Sequence, residues 1–243
     1  MVTWISVLFN RSVVNQNKLF LEKIKMMKKL FAPGCALMLY KPELAEKIHA
    51  ILNKNLSEMD KLMTCCHHDP RFDTKTEVIN ICPDCDKRFR NDYENSTTVS
   101  LWEILAETDF FPFPNYQGKW MSILDACPTR DQEKTQNAIR ILLKRMNINL
   151  VEPRNTKSKS TCCGDSFYGL IPTEKVKEQM VKRTSEMPLY DVVVYCVSCI
   201  KSVHIGGKKP KYLVDLLFAD DTTPNTYEPD AWHKELDSYI EKH

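Results

Sequence analysis

Ten cysteines stand in this 243-residue chain in an order that occurs twice, and that layout limits the possible folds more than any other feature. Cys35, the adjacent pair Cys65 and Cys66, and Cys82-Pro-Asp-Cys85 occupy the first half; Cys127, the pair Cys162 and Cys163, and Cys196-Val-Ser-Cys199 occupy the second. A single cysteine, a pair and a C-x-x-C motif in the same order twice, with none left over, indicates an internal duplication. The offset between copies is 92 residues at the single cysteine, 97 at the pair and 114 at C-x-x-C, so the second copy holds 17 extra residues after its pair. Between Cys66 and Cys82 lie 15 residues, room for a loop and a strand, whereas 32 separate Cys163 from Cys196.

The context of each cysteine predicts the same architecture in both copies. KLFAPGC and MSILDAC are short apolar runs of strand type, each followed by a helical pattern. The first pattern runs over 42–54, with Leu44, Ile48, Ile51 and Leu52 on one face; the second runs over 131–146, with Ile139, Leu142, Leu143 and Met146. EVINIC and YDVVVYC are strands leading into the C-x-x-C motifs, and after a polar stretch come the apolar helices VSLWEILAE and KYLVDLLFAD. The extra stretch TEKVKEQMVKRTSEM predicts one added helix burying Val176, Met180 and Val181. Strands alternating with helices give an α/β fold of two tandem Rossmann-like repeats with small parallel sheets, the first shortened. The expected division is a peripheral extension over 1–27, repeats over 28–118 and 119–220, and a tail over 221–243 with a short helix, 232–240, and no chemistry. Sites in such sheets gather beyond the carboxyl ends of strands, where every cysteine group falls.

Composition narrows the partners. Lys and Arg total 34 against 32 Asp and Glu, a net charge of +2 that offers no single-sign field for nucleic acid or an anionic membrane. Only six glycines are present, and neither G-x-G-x-x-G nor G-x-x-x-x-G-K-[ST] occurs, so no nicotinamide, flavin or phosphate cradle is expected. No run of 18 apolar residues is long enough to span a bilayer. The opening run 2–9 lacks the basic flank and cleavage pattern of a signal peptide, and KLFLEKIKMMKKL over 18–30 reads as an amphipathic helix with a basic face. A reducing cytoplasmic setting follows, in which clustered cysteines serve metals or catalysis more often than disulfides.

Thiolates favour zinc, copper(I) and iron-sulfur clusters. Zinc takes four ligands, usually from two knuckles; each half here offers one knuckle and five thiols, and adjacent cysteines rarely share one tetrahedral ion. A multi-iron cluster distributes more thiols over several irons, so iron-sulfur is favoured over zinc, more strongly in the second half than in the shorter first. Disulfide formation is the weaker alternative, and three further cysteines beside each C-x-x-C argue against thioredoxin-type exchange.

The order C, about 30 residues, CC(G), a spacer and C-x-x-C, with the second half reading DACPTR, STCCGDSFYG and VVVYCVSC, resembles the cysteine-rich CCG domain of the heterodisulfide reductase B family and related iron-sulfur oxidoreductases. The resemblance implies a noncubane [4Fe-4S] cluster held by Cys127, Cys162, Cys163, Cys196 and Cys199, and a second held by Cys35, Cys65, Cys66, Cys82 and Cys85. It further implies electrons arriving from an iron-sulfur or flavoprotein subunit and reductive cleavage of a small disulfide, or a role confined to electron transfer or assembly. The first half departs from the pattern, with His67 in place of Gly and a halved spacer, which leaves zinc or a conventional cluster open there.

Four neighbouring groups, His67, His68, Lys201 and His204, could supply a proton or positive charge to a product thiolate; the plainer reading makes them hydrogen-bond donors to sulfur or surface residues. Asp84 and Asp165 read as caps or turn residues. Gly34 and Gly164 each abut a cysteine, where glycine lets the backbone approach a bound group or adopt positive φ.

Overall fold

The computed structural model describes residues 27–243. The extension expected over 1–27 therefore lies almost wholly outside the described residues, and the amphipathic pattern over 18–30 is overridden at its end, where Lys28, Lys29 and Leu30 enter a strand.

Each repeat builds one four-stranded parallel sheet. The first contains β1 (Lys28–Ala32), β2 (Asp60–Lys61), β3 (Thr76–Asn80) and β4 (Ser96–Ser100) in the order β2-β1-β3-β4. The second contains β5 (Lys119–Ile123), β6 (Ile148–Val151), β7 (Asp191–Val194) and β8 (Lys209–Tyr212) in the order β6-β5-β7-β8. The two orders are the same order, which is the duplication expressed in space. Central strands in parallel sheets are buried on both faces and read as unbroken apolar runs; Leu30, Phe31 and Ala32, Val78 and Ile79, and Val192, Val193 and Val194 are all buried.

The helices α1 (Cys35–Tyr40), α2 (Pro42–Asn55), α3 (Pro83–Asn91) and α4 (Leu101–Glu107) belong to the first repeat. In the second repeat come α5 (Glu133–Arg145), α6 (Thr173–Ser185), α7 (Val197–Ile205) and α8 (Leu213–Leu217), and α9 (Pro229–Ile240) follows. In α2, Pro42 opens the helix, Glu43 and Lys54 complement its dipole, and Leu44, Ala45, Ile48 and Leu52 form the buried stripe. α5 repeats the device with Glu133, Lys144, Arg145 and the buried Ile139, Leu142 and Leu143. The added helix is α6, with Val176 and Met180 buried; Val181 points outward instead, at 46% exposure.

Two features escaped the sequence. β4 and β8 precede the apolar helices and were hidden by their Ser, Thr, Lys and Pro content; as edge strands they are fixed by pairing with β3 and β7 rather than by hydrophobic alternation. The polar stretches after each C-x-x-C are helices α3 and α7, which Cys82 and Cys196 cap. The repeats share one apolar core and a polar pin in which the buried Asp215 of α8 accepts from Tyr40 Oη at 2.7 Å and Lys41 Nζ at 2.6 Å. No helix among the described residues is long and apolar enough to cross a membrane.

Candidate metal centre

The cysteines converge in two groups. In the first repeat the thiols lie close enough to perturb one another in a continuous chain, Cys35 to Cys65 to Cys66 to Cys85 to Cys82. In the second the chain runs Cys127 to Cys162 to Cys163 to Cys199 to Cys196, the same order at matched positions. All ten are free thiols, six of them buried, so the disulfide alternative is not realised.

The groups adjoin across the repeat interface. α3, which carries Cys85, packs on the 3-10 turn Cys127–Thr129 of the other repeat, and α7, which carries Cys199, packs on α1, which begins at Cys35. Each C-x-x-C helix thus rests on the first cysteine segment of the opposite copy. Tyr212, fully buried at the end of β8, lies within electrostatic reach of both Cys82 and Cys196, and burial followed by those charges drives its phenol well above the usual range.

Charge within each chain of thiols is unevenly held. Hydrogen bonds from Cys35 and Cys66, with the His67 backbone N–H, hold Cys65 far below the ordinary thiol range; those from Cys127 and Cys163, with Ser166 and the Gly164 N–H, do the same for Cys162. Sharing its proton with a neighbouring thiol, and then burial, pushes Cys35 and Cys127 far up. Five neighbouring thiols cannot all ionise unaided, because each thiolate raises its neighbours; bound cations would relieve that conflict and be held by it.

Backbone shape fits a bulky occupant. Gly34 has φ +79°, and a Cβ there would stand 3.2 Å from both Cys82 Cβ and Cys85 Sγ, inside the cysteine group. Gly164 has φ +111°, and its missing Cβ makes room for Met180 of α6, at 2.7 Å, so this glycine seats the added helix against the cysteine pair. A narrow cleft of about 10 Å³, room for roughly one water, opens onto Cys35, Cys66 and Cys85 between Met38, Met63 and Tyr239. A second, equally small, lies between the repeats against Cys82, Asn80, Trp102, Thr129 and Thr135.

Asp125 organises the second group and was not foreseen. It is fully buried, accepts both Arg140 guanidinium nitrogens at 2.7 Å, the Lys157 N–H at 2.8 Å, Thr156 Oγ1 at 2.9 Å and Tyr195 Oη at 3.0 Å. Those partners come from the segments leading to Cys162 and Cys196, while Asp125 itself precedes Cys127 by two residues. One carboxylate therefore fixes all three cysteine-bearing segments. Burial raises its pKa, but Arg140 and the Lys157 N–H outweigh burial and hold the carboxyl below the usual range. The first repeat has Pro33 at this position, and nothing in the sequence alone marked Asp125.

The other expected residues separate. His67 stands with its ring nitrogen within 4.8 Å of ligating atoms of Cys66 and Asp84. Asp84 lies in the first turn of α3, as its reading as a cap or turn residue expects, and pairs with Arg88 at 3.4 Å. His68 is exposed, its N–H donating to the Cys65 carbonyl at 2.8 Å. His204 packs edge-on against Tyr227 at 4.6 Å rather than on a thiol. Lys201 is 2% exposed, with Nζ 2.7 Å from Asp165 Oδ1 and 4.7 Å from the centre of the Trp232 ring. Asp165, read as a turn residue, also accepts from His233 Nε2 at 3.1 Å, and burial of this carboxyl is outweighed by His233 and Lys201, which keep its pKa low. Trp232 and His233 belong to α9, whose other end places Tyr239 in the first cleft; beyond it the His243 carbonyl accepts the Cys65 N–H at 3.0 Å. The tail therefore reaches both cysteine groups.

The family described as CCG, cysteine-rich domain, matches residues 30–80 and 121–203, one segment in each repeat. No curated protein and no solved structure matches the chain.

Proposed function

This chain belongs to the cysteine-rich CCG domain family, and from that premise we propose that it is an iron-sulfur oxidoreductase component of the heterodisulfide reductase B type. The family indicates iron-sulfur or metal binding; the observation that carries the finer reading is the identical order of five neighbouring thiols in both repeats. Cys35, Cys65, Cys66, Cys82 and Cys85 would hold one [4Fe-4S] cluster and Cys127, Cys162, Cys163, Cys196 and Cys199 the other, with the repeats taken as 28–118 and 119–220. Such a cluster supplies one-electron transfer when bound, and two adjoining sites match the two electrons that a disulfide requires.

The protein's own residues have distinct tasks in this reading. Asp125 and Arg140 hold the second group rigid, Gly34 keeps the backbone clear of the first, and Met38, Met63 and Tyr239 line the narrow cleft at Cys35, Cys66 and Cys85. Electrons are supplied by an iron-sulfur or flavoprotein subunit, in the cytoplasm, where ten thiols stay reduced. Anaerobic purification with iron, acid-labile sulfide and low-temperature electron paramagnetic resonance is the test: iron and sulfide in equal amounts support the reading, and zinc alone refutes it. Reduction of a small disulfide by a reduced dye then separates an enzyme from a carrier of electrons.

A specific feature favours a second reading for the first repeat alone. Cys66, His67 and Asp84 present a mixed sulfur, nitrogen and oxygen set suited to zinc, whereas Gly164 and Ser198 hold the positions of the second repeat that match His67 and Asp84. One zinc per chain, lost in His67→Ala while iron is retained, would establish it.

A further inference from the structure

The second residue after each C-x-x-C is a lysine, Lys87 in the first repeat and Lys201 in the second. Lys87 is exposed on α3, whereas Lys201 is buried on α7. The difference comes from Asp165, where the first repeat has His68, and from the tail helix α9. Asp165 turns inward after the cysteine pair to meet Lys201 Nζ at 2.7 Å, and α9 lays Trp232 over the ammonium and His233 against the carboxylate. The Trp232 face adds attraction for the cation, and its 5% exposure keeps water from the pair.

A buried ammonium with a single carboxylate beside it is a strong local field, because charges interact many times more strongly in a low-dielectric interior than in water. Lys201 stands two residues after Cys199 on α7 and its partner Asp165 two residues after Cys163, so the ion pair joins two of the cysteine-bearing segments of this site. Charge beside a cluster sets how readily it takes an electron.

We propose that Lys201 is a positioning residue that makes the second cysteine site the better electron acceptor of the two, while its duplicate Lys87 leaves the first site unassisted. The inference rests on the iron-sulfur reading above. Electrons entering the protein then collect at the site fixed by Asp125, beside the cleft-bearing first site.

Redox titration of the anaerobic full-length protein, followed by electron paramagnetic resonance, tests it in Lys201→Met, Asp165→Asn, Lys201→Met/Asp165→Asn and Lys87→Met. Removing the cation should shift one redox component downward by about tenfold in the oxidised-to-reduced ratio at a fixed potential, or ~60 mV for one electron. Asp165→Asn, which leaves the cation unopposed, should shift the same component upward, the double variant should lie between, and Lys87→Met should move neither component. Where Lys201→Met fails to fold, the opposite-signed shift in Asp165→Asn still decides. Unmoved components, or equal downward shifts in Lys201→Met and Asp165→Asn, would mark a packing effect and overturn the role of Lys201 alone. A wild-type chain without iron and sulfide overturns the iron-sulfur reading and this inference together, and metal analysis made before the titration tells the two failures apart.

Discussion

Gly164→Ala should be among the most destabilising single substitutions in this chain, and the structure supplies the magnitude. The residue sits at φ +111° and ψ −28°, outside the region that side-chain-bearing residues occupy with ease; holding alanine there costs about 1–3 kcal/mol. The new methyl would lie 2.7 Å from Met180 Cγ and 2.8 Å from Met180 N. The sulfur-bearing side chain can swing away, but the backbone nitrogen belongs to the middle of α6, so the helix or the cysteine pair must move, for about 1–3 kcal/mol more. Gly207 provides the control: its φ of +76° is also positive, but a Cβ there meets nothing within 4 Å, leaving about 1–2 kcal/mol of backbone strain. Urea unfolding of the reduced, metal-free protein should therefore give a Gly164→Ala loss about 2 kcal/mol larger than that of Gly207→Ala, a midpoint difference of ~1 M at ordinary slopes. Equal losses would refute the argument that this glycine seats α6 against the cysteine pair.

Arg140→Met strands the buried Asp125 carboxylate, and a loss of about 3–5 kcal/mol in urea unfolding is expected, with Asp125→Asn recovering part of it in the double variant. Acid should act through the same group. The folded pKa of Asp125 is depressed, so its contribution is complete above the ordinary aspartate value and fades as pH falls through the lower folded value; unfolding curves from pH 7 to pH 3 should show that loss in the wild type and a shallower one in Arg140→Met. Tyr40→Phe removes one of the bonds to the buried Asp215 that joins the repeats, with a loss of about 1–3 kcal/mol by the same assay. Cys199→Ser and Cys85→Ser should each remove about half of the bound iron, since each interrupts one chain of thiols; loss of all the iron in either variant would show that the two sites do not load independently.

The sequence disclosed the fold to the extent that burial is local. Val78 and Ile79, Val192 to Val194, and the stripes of α2, α5 and α6 are apolar because both faces of a parallel sheet, or one face of a helix, are covered, and their spacing in the chain carries that information. The edge strands β2, β4, β6 and β8 were illegible because an edge strand is stabilised by its neighbour's hydrogen bonds, and KPKY or STTVS becomes a strand only when β7 or β3 is beside it. The same division holds at the site. Cysteine identity and order could be read directly, whereas Asp125, Lys201 and His233 of α9 depend on partners 15 to 70 residues away. His204, which shares a helix with Lys201, looked equivalent in the sequence and differs only because Tyr227 rather than Asp165 meets it.

The two copies retain the same thiol order and diverge in everything that surrounds it, and the divergence has one physical origin. Lengthening the second spacer added α6, which Gly164 allows to sit directly on the cysteine pair and which, with α9, closes the pocket over Asp165 and Lys201. A buried carboxylate network is stable in that enclosure, because each charge in it has a fixed partner. In the trimmed copy a loop alone joins β2 to β3, so its pair is bordered by exposed His67 and His68 and by a cleft reaching Cys35, Cys66 and Cys85. Because each C-x-x-C helix rests on the first cysteine segment of the other copy, neither group can shift without disturbing its twin. The rigidity of the longer repeat is thereby transmitted to the shorter and more open one.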